Sequence, residues 1–584
     1  MQKRTIAKID PIIFSIIQNS LKSVVDEMNN TLFRSASSAV ITEGRDIGGA
    51  IFDRDGHLVS QGTWDLAVFV GMLEFSCAAI IKSYENSINP GDVFIMNDPY
   101  VGGTHFNDVG VIRPTFFNEG LFGFVAIVGH WPDVGGAEPG SFAPDAEEYY
   151  KEGLRIPPVK IMESGRYVDG VIQLILSNVR NPEERRGDIE AQIAAVTVGE
   201  SRLKELIKKY GLETLDCCLE EAISYSERLL RAEFGKMRDG DYEFEDFLDM
   251  ESRRNPRPVR IHLKLTINED EAIFDFSNSD PPCRSATNST FSATASALFV
   301  ATKSLFPEIP MNHGCFVPIK MIIPQNTVVN VQAPTAMSAM ASSVYEKVVG
   351  VTLGAFAQVV PDKVMACPYN LINLTIGGTD PLTGLYYVAY LYSEGGFGGR
   401  ATKDGNAGLV SLYGGGAKIT PVEVFERKYP IMFKEWTLEA NSGGPGTWRG
   451  GVGSRKSFIL TRGVAKLTAL GDREKYPPWG LFGGRKGGQQ LLILNEGNDK
   501  EENLTLRAFG FELQEGNSVT IHSGGGGGYG NPFERDPELV ARDVRMGYVT
   551  VEGALKDYGV VVDDKTFAVD VRNTQKIRSA RKIN

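Results

Sequence analysis

Glycine placement constrains this chain more than any other feature of its sequence. Of 584 residues, 64 are glycine, against a usual share near ~7%. They gather into runs inside otherwise mixed sequence, such as "NSGGPGTWRGGVG", "GLFGGRKGG" and "HSGGGGGYG" in the last third. No period relates the runs, so collagen and other repeats are excluded, and the charged and apolar residues around them exclude low complexity. Glycine at this density marks tight turns and places where one backbone lies directly on another. Residues 431–584 are therefore expected to form a glycine-rich β region, closing on the helix-like "DPELVARDVRMGYV" and the basic tail "RNTQKIRSARKIN".

Upstream the patterns alternate between helix and strand. "PIIFSIIQNSLKSVVDEM" opens on a proline and reads as an amphipathic helix with Ile12, Ile13, Ile16, Ile17 and Leu21 on one face. "DIGGAIFDRDGHLVSQG" is a hairpin with "DRDG" at its turn. "GDVFIMNDPYVGG" and "LFGFVAIVGHWPDVGG" are strands that run into loops. From Asn181 to Met237 the pattern is helical, 240–280 alternates as strands, and a helix is expected near 290–305. A chain this long exceeds what one core serves, so several domains are expected. The reading is a multi-domain α/β (mixed α+β) fold: 1–190, an N-terminal α/β segment carrying the candidate site; 191–430, a central α/β region; and 431–584.

Charge and cysteine usage narrow the function class. The net charge of −12 argues against a nucleic-acid surface, which needs clustered lysine and arginine. Six cysteines show no CxxC spacing, the pattern of a reduced, cytoplasmic protein. The N-terminus shows no cleavable leader, and no window approaches ~20 uninterrupted apolar residues, so no membrane span is expected. There is no GxxxxGK[ST] and no GxGxxG between a strand and a helix, so a nucleotide site in this chain is not expected.

Two short segments carry the chemistry. "NDPYVGGTHFND" and "HWPDVGG" each place an aspartate three residues after a histidine, His105/Asp108 and His130/Asp133, in a chain with only six histidines. Imidazole nitrogens together with carboxylate oxygens suit Mn, Fe or Zn better than Mg or Ca. Asp46, in "EGRD", adds a further carboxylate. The competing reading is that the aspartates cap turns and the histidines are satisfied core residues, and spacing alone does not decide between the two. Gly102, Gly103, Gly135 and Gly136 are expected where the backbone needs positive φ or a close approach.

The residues also carry a resemblance. "NDPYVGGTHFNDVGV", "GHWPDVGGAEPGSF", "EGLRIPPVKI", "NVRNPEERRGDIEAQIAA", "PVEVFERKYP" and "PPWGLFGGRKG" occur in order along nearly the whole chain and resemble the hydantoinase B family. That family includes B-type parts of 5-oxoprolinase, N-methylhydantoinase and ATP-dependent lactam hydrolases, and alpha-type subunits of acetone and acetophenone carboxylases. The resemblance implies a hydantoinase A-type ATPase partner that binds ATP and Mg and phosphorylates an oxygen of a small-molecule substrate. It further implies a divalent metal held by Asp46, His105, Asp108 and His130, with Asp133 orienting a ligand or moving a proton. "RDIGG" departs from the family's more usual "RDFSC" just after Asp46. The leading expectation is a cyclic amide hydrolase acting on a hydantoin, oxoproline or lactam. The alternatives are a ketone carboxylase using bicarbonate, with a small third subunit, or a non-catalytic scaffold in such a complex.

Overall fold

The expected hairpin opens the largest sheet. The computed structural model describes residues 9–581. Strands Ile47–Asp53 (β1) and Leu58–Gln61 (β2) are followed by Val93–Met96 (β3), Asp108–Phe117 (β4), Gly120–His130 (β5), Val159–Glu163 (β6) and Arg166–Tyr167 (β7). Their order is β2-β1-β5-β4-β3-β6-β7, and every neighbouring pair is antiparallel. β1 and most of β5 are buried on both faces. That is why they read as nearly continuous apolar runs.

One face packs under the helices Pro11–Ser35 and Pro182–Tyr210, in a core that includes Ile17, Val25, Ile51, Ile127 and Trp131. The other face packs against Met72–Tyr84 and Phe291–Leu305, through residues such as Phe52, Phe69, Phe124 and Leu298. The first helix starts as expected, with Asp10 accepting from the N–H groups of Ile12 and Ile13. Its buried stripe, however, is Ile17, Leu21, Val24, Val25, Met28 and Leu32. At ~100° per residue Ile12 and Ile16 fall off that stripe, and they are 70% and 43% exposed.

The expected domain limits cut through packed elements. Position 190 lies inside the helix Pro182–Tyr210, and the first core continues to Leu219. Position 430 separates strands of one sheet, because Tyr386–Tyr392 and Asn373–Thr379 pair onward with Val464–Leu470 and Phe511–Gln514. The basic tail is helical through Val571–Arg581 rather than a free extension. Its last residues, 582–584, and the N-terminal residues 1–8, where no leader is expected, lie outside the described residues.

One described stretch, Ala67–Tyr84, is long and apolar enough to cross a membrane, which the sequence patterns do not single out. Half of it is buried in the fold, and Val68, Phe69, Leu73, Cys77 and Ile80 belong to the larger core. No disulfide forms among the described residues.

The glycine runs of the last third are not strands. Segments around Gly395–Gly399, Gly443–Gly451, Gly480–Gly488 and Gly524–Gly528 lie against one another and bond directly between backbones. Examples are Gly396 N–H to Gly524 O, Gly399 N–H to Gly527 O and Gly444 N–H to Gly526 O at 2.8–3.0 Å. A Cβ on Gly450 would sit 1.9 Å from Gly526 O, and one on Gly527 would sit 1.9 Å from Trp479 O. Only glycine fits between such backbones.

Candidate metal centre

Sheet register builds the centre. Asp108 opens β4 and faces His130, the last residue of β5, across the ladder. His105 reaches the same point from the loop before β4, whose path is fixed by buried Asn97. The Asn97 amide donates to Phe106 O (2.7 Å) and Leu154 O (2.9 Å), and its carbonyl accepts from Ile156 N–H (2.6 Å). Asp98 caps Tyr100 N–H and pairs with Arg155. The glycines bend the loops as expected. Gly102, Gly135 and Gly136 have φ of 151°, 91° and 84°, while Gly103 has room for no Cβ, which would meet Asn97 O at 2.8 Å.

One ligand atom from each of His105, Asp108 and His130 lies within 4.8 Å of the others, and all three residues are buried. Asp108 sits between the imidazoles, with Oδ1 3.0 Å from His130 Nδ1 and Oδ2 2.7 Å from His105 Nδ1. Thr104 donates its hydroxyl hydrogen to Oδ2. The His105 contact lacks hydrogen-bond alignment, and both His105 Nδ1 and His130 Nε2 are buried without a hydrogen-bond partner. Orphaned buried nitrogens around a carboxylate fit a cation's donor set, and two imidazoles with a carboxylate suit Mn, Fe or Zn.

Electrostatics follow from burial. Burial opposes ionisation of Asp108, but the imidazoles of His105 and His130 outweigh it and hold the carboxyl well below its ordinary range. Burial also opposes charge on His130, yet Asp46 and Asp108 raise its pKa. Asp46 occupies the same strand end, its carbonyl accepting from His130 N–H at 3.0 Å. Burial pushes the Asp46 carboxyl up to about 7; Asp108 adds to the rise and His130 opposes it. Asp46 is not one of the three residues within 4.8 Å.

Asp133 does something other than expected. Its oxygens accept from Gly135 N–H (2.9 Å), Gly140 N–H (3.0 Å), Arg180 N–H (3.1 Å) and the Arg180 guanidinium (2.8 Å). Those four donors match the ~4 lone-pair sites of a carboxylate. Asp133 therefore ties its loop to Arg180 and has no lone pair left for proton transfer.

Aromatic residues close the centre, and local sequence does not reveal them. Tyr390 stacks on His130 with ring centroids 5.0 Å apart, and Phe142 lies 6.4 Å from the His105 ring. Tyr390 comes from a strand far along the chain, so no spacing rule could attach it to His130.

The family model Hydantoinase B/oxoprolinase matches residues 10–532. A relative from a Pseudomonas strain, named as the B-type chain of a D-/L-hydantoinase, is 33% identical over 98% of this chain and 98% of its own. The 5-oxoprolinase 1 of Arabidopsis thaliana is 30% identical over 89% of this chain, which spans only 42% of that longer protein. The ATP-dependent caprolactamase of Pseudomonas jessenii superposes with a TM-score of 0.90 at 28% identity, covering 98% of this chain and 100% of that one. Acetone carboxylase shares the fold, with a TM-score of 0.88 at 20% identity over 98% of this chain and 83% of that one. The chain belongs to the hydantoinase B/oxoprolinase family.

Proposed function

We propose that this hydantoinase B-family chain is the metal-bearing component of an ATP-dependent cyclic amide hydrolase. His105, Asp108 and His130 are its metal ligands and Asp46 completes the protein donors. The observation that carries this reading is the approach of three buried donors to within 4.8 Å, two of their nitrogens lacking any hydrogen bond. Two ~2.1 Å metal–nitrogen bonds span nearly that distance. A divalent ion held there supplies Lewis acidity and lowers the pKa of a coordinated water.

The chain's own residues do the rest. Thr104 fixes the Asp108 carboxylate, the β4–β5 ladder fixes His130, and the Tyr390 ring covers the His130 face. Burial of all three donors keeps bulk water from competing at the reacting oxygen.

The remaining chemistry belongs to a partner. A cyclic amide is a poor electrophile, and phosphorylation of its oxygen by a hydantoinase A-type ATPase makes the carbon open to attack. One relative is named as a single component of a multi-chain hydantoinase, and the one-chain 5-oxoprolinase is much longer than this protein. Both facts support a second, ATP-binding part. The substrate is a hydantoin, oxoproline or lactam, of which the caprolactamase supports the lactam. The shared fold with acetone carboxylase supports the second reading, ketone carboxylation with bicarbonate.

Metal analysis of the purified chain, followed by turnover assays after co-expression with an A-type partner, tests the proposal. We expect about one ion per chain, no ATPase activity alone, and substrate-dependent ATP hydrolysis in the complex. A chain without metal, or one hydrolysing ATP unaided, would sink it. Bicarbonate-dependent turnover of a ketone would select the carboxylase.

A further inference from the structure

Three tyrosines from distant parts of the chain gather at the centre, and their hydroxyls differ. The Tyr390 O–H donates to Asn373 Oδ1 at 2.7 Å, and the Tyr392 O–H donates to Lys418 O. Tyr413 is 4% exposed, yet its hydroxyl forms no hydrogen bond among the described residues. A buried hydroxyl without a partner costs roughly 1–3 kcal/mol, so a fold that keeps one has placed it against something absent from the free chain.

Backbone bonds fix where Tyr413 sits. Val68 N–H donates to Tyr413 O (3.1 Å), Ala67 N–H to Gly415 O (2.9 Å) and Lys418 N–H to Gly44 O (2.8 Å). Leu66 N–H in turn donates to Ile47 O (3.0 Å), so residues 413–418 run along the chain on either side of Asp46. The ring is held edge-on by Tyr345, with centroids 5.0 Å apart, and Tyr345 is anchored on Ser296. After burial, the Asp108 and Asp46 charges are the main reasons the phenol's pKa rises, so it stays a protonated donor beside them.

We propose that the Tyr413 hydroxyl is a catalytic hydrogen-bond donor, aimed at the substrate oxygen on which negative charge develops beside His105, Asp108 and His130. The ligand class is an oxyanion, either the phosphorylated amide oxygen or the alkoxide formed on attack. No bond to Tyr413 is made or broken. This rests on the function proposed above. The role resembles one donor of an oxyanion hole, whose removal costs on the order of 10²-fold in kcat.

Tyr413→Phe tests it, since the ring and its contact with Tyr345 remain and no hydrogen bond is lost. Three quantities are read on the Mn-loaded chain and its partner complex: metal content, affinity of the chain for inorganic phosphate by calorimetry, and kcat with KM. The proposal expects unchanged metal content and a melting temperature equal to or above wild type. It also expects roughly 10-fold weaker phosphate binding and a kcat about 100-fold lower at similar KM. A variant that keeps its metal and matches wild type in phosphate affinity and kcat overturns the role of Tyr413 while leaving the metal centre standing. Loss of metal in the variant also overturns it, because the hydroxyl would then support the ligands. A wild-type chain that binds no metal removes the underlying function, and this proposal with it.

Discussion

The molecule uses glycine in two regions for opposite ends. Around the candidate centre, Gly102, Gly135 and Gly136 take left-handed φ values that turn their loops, so that polar side chains converge at one end of the first sheet. In the last third, none of Gly524–Gly528 has a left-handed φ. There the constraint is space, with backbone oxygens as close as 1.9 Å to where a Cβ would lie. In the first region glycine sets the direction of the chain, and in the second it permits proximity. Identical letters in the sequence therefore report different physics, and mutation separates them.

The sharpest test of the first region acts on the side chains that its loops present. His105→Ala and His130→Ala should each strip the metal and lower turnover by at least about 10³-fold, because each removes one of few protein donors. Folding should be little affected, since neither residue's loss unpairs another buried group except Asp108, which keeps Thr104. Metal analysis and circular dichroism on the same samples check this. Full metal content in both variants would reduce the histidines to core residues.

Paired glycine substitutions test the difference between the regions directly. In Gly526→Ala the new methyl would lie 2.2 Å from the backbone of Phe397, inside a layer with no side chain to yield. We expect a loss of several kcal/mol, at or beyond the ~1–3 kcal/mol typical of overpacking, seen as insoluble protein. Gly103→Ala meets Asn97 O at 2.8 Å, in a loop that borders the centre. It should remain soluble and lose metal affinity and activity. Equal losses of solubility in both variants would erase the distinction.

Asp133→Asn is a smaller perturbation. The amide keeps one acceptor oxygen but sets an NH2 against donors now met by a carboxylate, weakening the tie to Arg180. We expect roughly 1–3 kcal/mol of lost stability with metal retained, and a turnover loss that tracks loop order rather than a missing proton carrier. A pH–rate profile that loses an ionisation in the variant would instead restore the acid/base role.

How much of this the sequence made legible depends on the distance over which each feature is specified. The hairpin at 47–61, the long helices and the approach of His105, Asp108 and His130 rest on turns, strand ends and near-neighbour register, which short patterns encode. The family blocks extend that reading to Asp46 and to an ATP-binding partner. Tyr390, Tyr413 and the Arg180 tie to Asp133 depend on contacts between segments far apart in the chain, and nothing local marks them. The boundary at 190 failed because composition shifts along the helix Pro182–Tyr210 while its packing on the first sheet does not. Ile12 and Ile16 failed because an apolar residue near a helix start reads alike whether or not another element covers it.

The smallest effect we predict lies far from the centre, where side chains rather than glycines join strands of the glycine-rich third. His522 ends the strand Ser518–His522, with Nδ1 3.0 Å from Glu439 and Nε2 3.0 Å from Glu496. Both ring nitrogens face carboxylates, which favours the doubly protonated imidazolium. The hydrogen bond to Glu439 leads the causes that raise its pKa, against a partial cost of burial. Arg455 also pairs with Glu496, so the cluster holds a second cation that does not titrate in the neutral range. Because the folded-state pKa is raised, His522 contributes its full stabilisation below the unfolded value of about 6.5, and that contribution fades as pH climbs through the folded value. Pairs this near solvent are worth no more than about 1 kcal/mol. Thermal melts of wild type and His522→Gln across about pH 5.5–9 should therefore show a small gap at the acid end that closes toward the basic end. A gap that is constant, or that widens with rising pH, would mean the ring is held neutral, and the join would then be hydrogen bonding alone.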